Sequence, residues 1–228
     1  LRFSTVAVIL GKGNGFFKEP YTLPVKGQPT AVVVGDYDQD GKTDVAIALA
    51  GNGNKGVQIL WGKGDGKFEG SKAFKGGKQP LSLVSLDVNN DGLMEFVTSS
   101  NSLHALTALV NNGDRTFTSL QDFASGNFPK FVVAADFTGD GLQDIAVSNS
   151  TDDRISVSLG RGDGTFTYPP IYHKVDEHPQ GMAVADYNGD GLLDIAVSSR
   201  DKNLIDILSK KNMINPKPDL PQKDLKSP

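Results

Sequence analysis

Cysteine is absent from the 228 residues, which excludes disulfides and thiolate metal sites without fixing a compartment. Histidine is scarce, and His104, His173 and His178 share no spacing with one another that would suggest a metal set or a catalytic pair. No apolar run approaches the roughly eighteen residues of a membrane-spanning helix, so membrane insertion is not expected. Amphipathic-helix periodicity is missing throughout. The Lys and Arg residues are scattered, with no arginine-rich or aromatic-interleaved patch, and nucleic acid is not an expected partner. Leu1 stands where an initiator methionine would, with no basic-then-apolar leader behind it, which reads as a processed product or an excised piece.

What the chain does have is acid in a fixed rhythm. Asp36-Tyr37-Asp38-Gln39-Asp40-Gly41-Lys42-Thr43-Asp44 packs four carboxylates into nine residues, and its counterparts run over 87–95, 136–144 and 186–194, with starts 51, 49 and 50 residues apart. A hard cation such as Ca²⁺ takes about six to eight oxygens, and a short loop supplies them from alternate side chains. Positions 1, 3, 5 and 9 hold Asp36, Asp38, Asp40 and Asp44 in the first loop, and Asp87, Asn89, Asp91 and Glu95 in the second. The third has Asp136, Thr138, Asp140 and Asp144; the fourth has Asp186, Asn188, Asp190 and Asp194. Position 7 varies as Lys42, Leu93, Leu142 and Leu192, as expected of a slot that offers only its backbone carbonyl. Gly41 at position 6 suits a sharp, positive-φ bend. The pattern stops three residues before the position-12 Glu of an EF-hand and runs into a strand rather than a helix. Thr138, neutral and a weaker donor, marks the third loop as the weakest of up to four Ca²⁺ sites. An Asx-rich turn without metal is the alternative for any one copy. Four crowded copies argue against it, because unscreened like charges repel.

These loops hold 13 of the 27 acidic residues, leaving 14 to set against 23 Lys and Arg, so the net charge of −4 conceals a basic remainder.

A period near fifty residues calls for a repeat architecture. In each unit a proline (Pro29, Pro80, Pro129, Pro179) precedes an apolar strand, expected over 31–35, 81–86, 131–135 and 182–185. The acidic loop follows, then a second strand over 45–49, 96–99, 145–148 and 195–198, and a third over 57–61, 105–110, 155–159 and 204–208. A Gly-rich turn comes next: Gly62-Lys63-Gly64-Asp65-Gly66, its counterpart Gly160-Arg161-Gly162-Asp163-Gly164, and the divergent Asn111-Asn112-Gly113-Asp114-Arg115, where Arg115 replaces glycine. A more polar fourth strand leads to the next proline. Four short antiparallel strands per unit predict an all-β fold, a β-propeller of four-stranded blades.

On the acidic loops, the Gly-x-Gly-Asp-Gly turns and the phased prolines, the chain resembles the FG-GAP/VCBS repeat family, which includes the integrin α-subunit propeller and fungal lectin propellers. The resemblance covers about residues 5–208 and implies Ca²⁺ between the first and second strands of each blade and an extracellular or cell-surface location. The propeller domain is expected over 1–209, in units 1–28, 29–79, 80–128, 129–178 and 179–209, with a Pro/Lys-rich tail or linker over 210–228. Residues 5–10 and the Gly-rich turn after them match a third strand, so the chain begins mid-blade. The segment 17–25 can supply the last blade's missing strand and close a four-bladed ring; an arc of a larger seven- or eight-bladed ring, or one completed by self-association, is the alternative.

No base, nucleophile or open metal position stands outside the repeat, and the expected role is non-catalytic recognition of an extracellular protein. A glycan-binding propeller is the second reading, expected to show aromatic and amide pairs between blades. A polysaccharide lyase or hydrolase is the third. The metal-side segments repeat while the opposite loops (51–56, 101–104, 149–154, 199–203) differ, which places candidate ligand contacts at Asp152, Asp153, Arg154, Arg200 and Lys202. Arg161-Gly162-Asp163 spells an adhesion tripeptide but occupies the repeat's own turn. Asn149-Ser150-Thr151 is a glycosylation sequon, and Trp61, in third-strand register, is expected in the core.

Overall fold

The computed structural model describes residues 4–51, 56–100, 102–120 and 122–209. The tail over 210–228, most of the 51–56 loop and Asn101 lie outside the described residues. A leading hairpin pairs β1 (Ser4–Val8) with β2 (Tyr21–Val25). The first blade follows with β3 (Gln28–Gly35), β4 (Asp44–Ala50), β5 (Gly56–Gly62) and β6 (Phe68–Lys75), antiparallel in chain order. The second has β7 (Pro80–Leu86), β8 (Glu95–Ser100), β9 (Ala105–Asn111) and a split outer strand, β10 (Phe117–Ser119) and β11 (Phe123–Ala124), both pairing with β9. The third has β12 (Pro129–Ala135), β13 (Asp144–Asn149), β14 (Arg154–Ser158) and β15 (Ile171–Lys174). The last has three strands, β16 (Pro179–Ala185), β17 (Asp194–Ser199) and β18 (Leu204–Leu208). The all-β propeller expectation holds, and each proline sits at the start of an innermost strand with a register shift just after it. That position costs no ladder hydrogen bond.

The cores lie between blades. Tyr37, Ala46, Val57, Ile59 and Trp61 of the first blade pack on Leu83, Phe96, Leu109 and Phe117 of the second, so Trp61 is core as expected. Comparable clusters join the second blade to the third and the third to the fourth. The middle strands are buried on both faces, which is why β4 and β5 read as nearly continuous apolar runs rather than alternating ones, while β8 buries Thr98, Ser99 and Ser100. Near the inner strands, hydroxyls link neighbours: Thr30 Oγ1 donates to the Pro80 carbonyl (2.8 Å) and Ser148 Oγ to that of Gln180 (2.8 Å).

Closure of a four-bladed ring through 17–25 does not occur. The second half of that segment, β2, pairs with β1, and no sheet joins it to β18. The described residues form an open arc, and its ends are marked by register. Ile205 and Ile207 stand where Ile155 and Val157 stand in the third blade; the latter pair is fully buried, whereas Ile205 is 70% and Ile207 57% exposed. At the other end Val32 is 57% exposed although its register equivalents Leu83, Val132 and Met182 are buried. The same blade-facing chemistry is present at both ends, with no blade among the described residues to cover it.

Candidate metal centres

Each acidic loop is wound by its own backbone. In the first, the Asp36 carboxylate accepts the N–H groups of Asp40 (3.1 Å) and Gly41 (2.8 Å), Asp38 Oδ1 accepts that of Asp40 (3.1 Å), and Asp40 Oδ1 that of Lys42 (2.9 Å). The pattern recurs at Asp87, Asn89 and Asp91 and, with small variations, at Asp136 and Asp186. Positive φ is found at Gly41, Gly92, Gly141 and Gly191, as expected, and also at position 4: Gln39, Asn90, Gly139 and Gly189. Two left-handed residues per loop turn the chain tightly enough to gather its oxygens. Asp36, Asp38 and Asp40 bring one carboxylate oxygen each within 4.8 Å of one another, and so do Asp87, Asp91 and Glu95. Position 3 of the third and fourth loops carries no acid: the Thr138 hydroxyl donates to Asp136 (3.2 Å) and the Asn188 carbonyl oxygen accepts the Asp190 N–H (2.9 Å).

Position 9 has a second task that spacing alone did not reveal. Asp44 is buried and pins the loop to the third strand, Oδ2 accepting the N–H of Tyr37 (2.9 Å) and Oδ1 that of Gly62 (2.7 Å). Asp144 does the same with Phe137 (2.9 Å) and Gly160 (2.8 Å). Gly62 and Gly160 are glycine by necessity, since a Cβ would lie 2.1 Å from the Thr43 carbonyl oxygen in one case and 2.2 Å from that of Gln143 in the other. Desolvation raises both carboxyls above the usual Asp range, opposed by those amides. In the second blade Asn111 replaces the glycine and Glu95 the aspartate. Glu95 Oε2 accepts the Val88 N–H (2.9 Å), while Oε1 is buried without a hydrogen-bond partner. Burial pushes the Glu95 carboxyl up to about 7, opposed by the backbone N–H groups of Val88 and Asn111.

Position 2 anchors the loop, and its large apolar residue types are legible in the sequence. Tyr37, Val88 and Phe137 insert into the inter-blade cores and anchor their loops, and Tyr187, at the arc's open end, is exposed. The Gly-rich turns of one blade cap the loop of the blade before: Gly164 donates its N–H to the Val88 carbonyl (3.1 Å), and Arg115 reaches Asp38 from the corresponding turn. Loops and turns therefore share one face, as expected. The donor set is all oxygen, hard and crowded, and in the second loop one oxygen is buried and unpaired; these residues fit a hard divalent cation.

The five candidate ligand residues lie on the opposite face, and each has a partner within the chain, in some cases across a blade boundary and in others within one blade. Asp152 accepts two hydrogen bonds from Asn127 (2.8 and 2.9 Å), and Asp153 accepts the His178 N–H (2.9 Å). Arg154 lies over Tyr172, Arg200 pairs with Asp201 and Lys202 with Glu177. Neither of two clefts is lined by them. One cleft, about 440 Å³, has Trp61, Glu69, Lys72 and Arg115 in its walls. The other, about 230 Å³ and apolar, lies between the second and third blades, where Phe123 and Phe166 stack at 5.4 Å beside Tyr168. The histidines serve packing: His104 Nδ1 accepts the Phe128 N–H (3.1 Å), His178 meets Asp201 (2.7 Å) and His173 is buried. Asn149 is fully buried and bonded to Ser156 (3.0 Å), so its sequon is closed to glycan in the folded chain. Arg161-Gly162-Asp163 forms the repeat's turn, with Arg161 N–H donating to the Thr165 carbonyl (3.1 Å).

Comparison with known proteins agrees with this geometry. The family described as FG-GAP-like repeat matches residues 2–47, 37–98, 87–147 and 136–197. No curated protein matches. Among solved structures, BBS1N, crystallised in complex with ARL6DN, is similar with a TM-score of 0.55 at 14% identity, over 81% of this chain and 57% of that one. A functionally unknown protein from Desulfotomaculum acetoxidans gives 0.56 at 13% identity over 89% and 62%, and a protein from Lactobacillus plantarum 0.56 at 11% over 90% and 67%. The chain thus spans about three fifths of the length of the first structures it matches, and the likeness is one of fold.

Proposed function

This chain belongs to the FG-GAP-like repeat family, and from that footing we propose that it is a calcium-braced β-propeller platform that recognises other proteins outside the cell. The observation that carries the metal is Glu95 Oε1, a buried carboxylate oxygen that makes no hydrogen bond of normal geometry and stands beside two further carboxylates. A buried unpaired acceptor costs about 1–3 kcal/mol, and more when charged. Asp36, Asp38, Asp40 and Asp44 with the Lys42 carbonyl would hold the first ion. Asp87, Asn89, Asp91 and Glu95 with the Leu93 carbonyl would hold the second. Asp136, Thr138, Asp140, Asp144 and the Leu142 carbonyl form the third set; Asp186, Asn188, Asp190, Asp194 and the Leu192 carbonyl form the fourth. Bound calcium supplies positive charge where like charges converge, and it catalyses nothing in this reading. Sites built on short exposed loops suit the millimolar calcium found outside cells, which supports an extracellular location.

Protein recognition is the first reading because the fold is a rigid arc with varied loops on one face and uncovered blade-facing surfaces at its ends. BBS1N, a similar fold, was solved bound to a protein. For the end faces the partner we propose is a further blade of the same family, since Ile205, Ile207 and Val32 repeat the chemistry of the internal interfaces. Glycan recognition is a second reading, supported by the apolar cleft at Phe123, Phe166 and Tyr168, whose aromatic faces can stack on sugar C–H groups. Among the described residues no side-chain amide lines it. Thermal unfolding with calcium and with chelator tests the metal, and identical melting curves defeat it. Binding measured in parallel against purified surface proteins and a glycan array separates the readings, and polysaccharide cleavage would replace both with an enzyme.

A further inference from the structure

We propose that Arg115 is a resident cation for the first acidic loop, clamping the first two blades together when calcium is scarce and weakening calcium at that loop relative to the others. The inference rests on the calcium reading above. Arg115 stands at the turn position held by Gly66 and Gly164 in the neighbouring blades. Gly164 lies over the second loop without a side chain, the nearest atom to a Cβ built there being that of Asn89 at 4.0 Å. Arg115 lies over the first loop and fills that space with a guanidinium. Its Nε and Nη2 both reach Asp38 Oδ2 at 2.6 Å, and Nη2 lies 3.8 Å from Asp40 Oδ2. Nη1 meets Glu69 at 3.4 Å, and the group rests on the Trp61 ring, 5.1 Å from its centroid.

Asp38 is the only acid at position 3 among the four loops, the others being Asn89, Thr138 and Asn188. Its side chain is only 4% exposed. A carboxylate that buried is costly without a partner, and the extra acid occurs in the one loop faced by an arginine. Both Asp38 oxygens are occupied, Oδ1 by the Asp40 N–H and Oδ2 by Arg115. Lys42 adds a second cation, its Nζ 2.9 Å from Asp40 Oδ2. Among the described residues no ion pair reaches Asp87, Asp91 or Glu95. A divalent ion entering the first loop must therefore share Asp38 with a guanidinium or displace it. Repulsion at such separations in a partly solvated site weakens binding by about tenfold or more. Without the ion, the Arg115–Asp38 pair still spans the blade boundary.

Trp61 is the only tryptophan and touches Arg115, so terbium luminescence sensitised through tryptophan reads the first loop in preference to the rest. The experiment titrates the full chain and its Arg115→Gln and Arg115→Lys variants with Tb³⁺, displaces it with Ca²⁺, and melts each protein in chelator and in saturating calcium. Arg115→Gln should move the tryptophan-sensitised midpoint to about tenfold lower metal, and Arg115→Lys should stay near the parent. In chelator the glutamine variant should melt below the parent, and calcium should close most of that gap. Equal midpoints in parent and glutamine variant would overturn the role of Arg115, and so would loss of the tryptophan-sensitised signal in that variant, which would make the arginine a support of the site. Absence of any metal response in all three proteins, by luminescence and by calorimetry, would instead sink the calcium reading beneath it.

Discussion

His178 donates its backbone N–H to Asp153 at 2.9 Å, and Phe128 donates the same N–H, one repeat earlier, to His104 Nδ1 at 3.1 Å. Two unlike side chains thus perform one task, each from a left-handed residue in the turn between second and third strands and each aimed at the residue before a proline. Asp153→Ala should destabilise the chain by about 2 kcal/mol, combining a lost hydrogen bond with an alanine at positive φ. Asp153→Asn keeps an acceptor and tolerates that conformation, so it should stay within about 0.5 kcal/mol of the parent. Urea unfolding in calcium measures both, and equal losses would mean the bond contributes nothing.

Close approach rather than turn geometry accounts for Gly160. Gly160→Ala should cost about 3 kcal/mol, because the Gln143 carbonyl oxygen lies 2.2 Å from the new Cβ. Gly164→Ala has positive φ but open space, and should cost roughly 1 kcal/mol. The order of the two melting temperatures is the check.

Calcium at about a hundred times its Kd should stabilise each loaded site by about 2.7 kcal/mol. Glu95→Gln replaces with a neutral amide a buried carboxyl whose pKa is pushed up to about 7, so in chelator above that pH this variant should melt no lower than the parent. In calcium it should gain less. A full calcium shift in Glu95→Gln would remove Glu95 from the ligand set.

Identical chemistry at register-equivalent sites should have opposite consequences. Ile155→Asp places a charge in a filled inter-blade core and should abolish folding, at a cost of several kcal/mol. Ile205→Asp with Ile207→Asp should leave the melting temperature within a few degrees and lower the association measured by light scattering. A double variant that associates as strongly as the parent would show that the end face at β18 seats no blade.

Local chemistry alone was enough to announce the repeat, the blades and the oxygen loops. Like charges at alternate positions, glycine at a forced positive φ and proline at a strand's first residue act within a few residues, so each leaves its mark in the order of letters. What folding decided lies in long-range contact. The buried hydrogen bonds of Asp44 depend on how β4 and β5 pair, and the Asp38–Arg115 pair across 77 positions and the Asp152–Asn127 contact depend on which wedge stands beside which. The segment 17–25 turned back on β1 rather than crossing to β18, and closing a short loop costs less chain entropy than closing one that spans nearly the whole domain. The open arc is the result, with isoleucines written as core and left at the surface because burial is conferred by a neighbour.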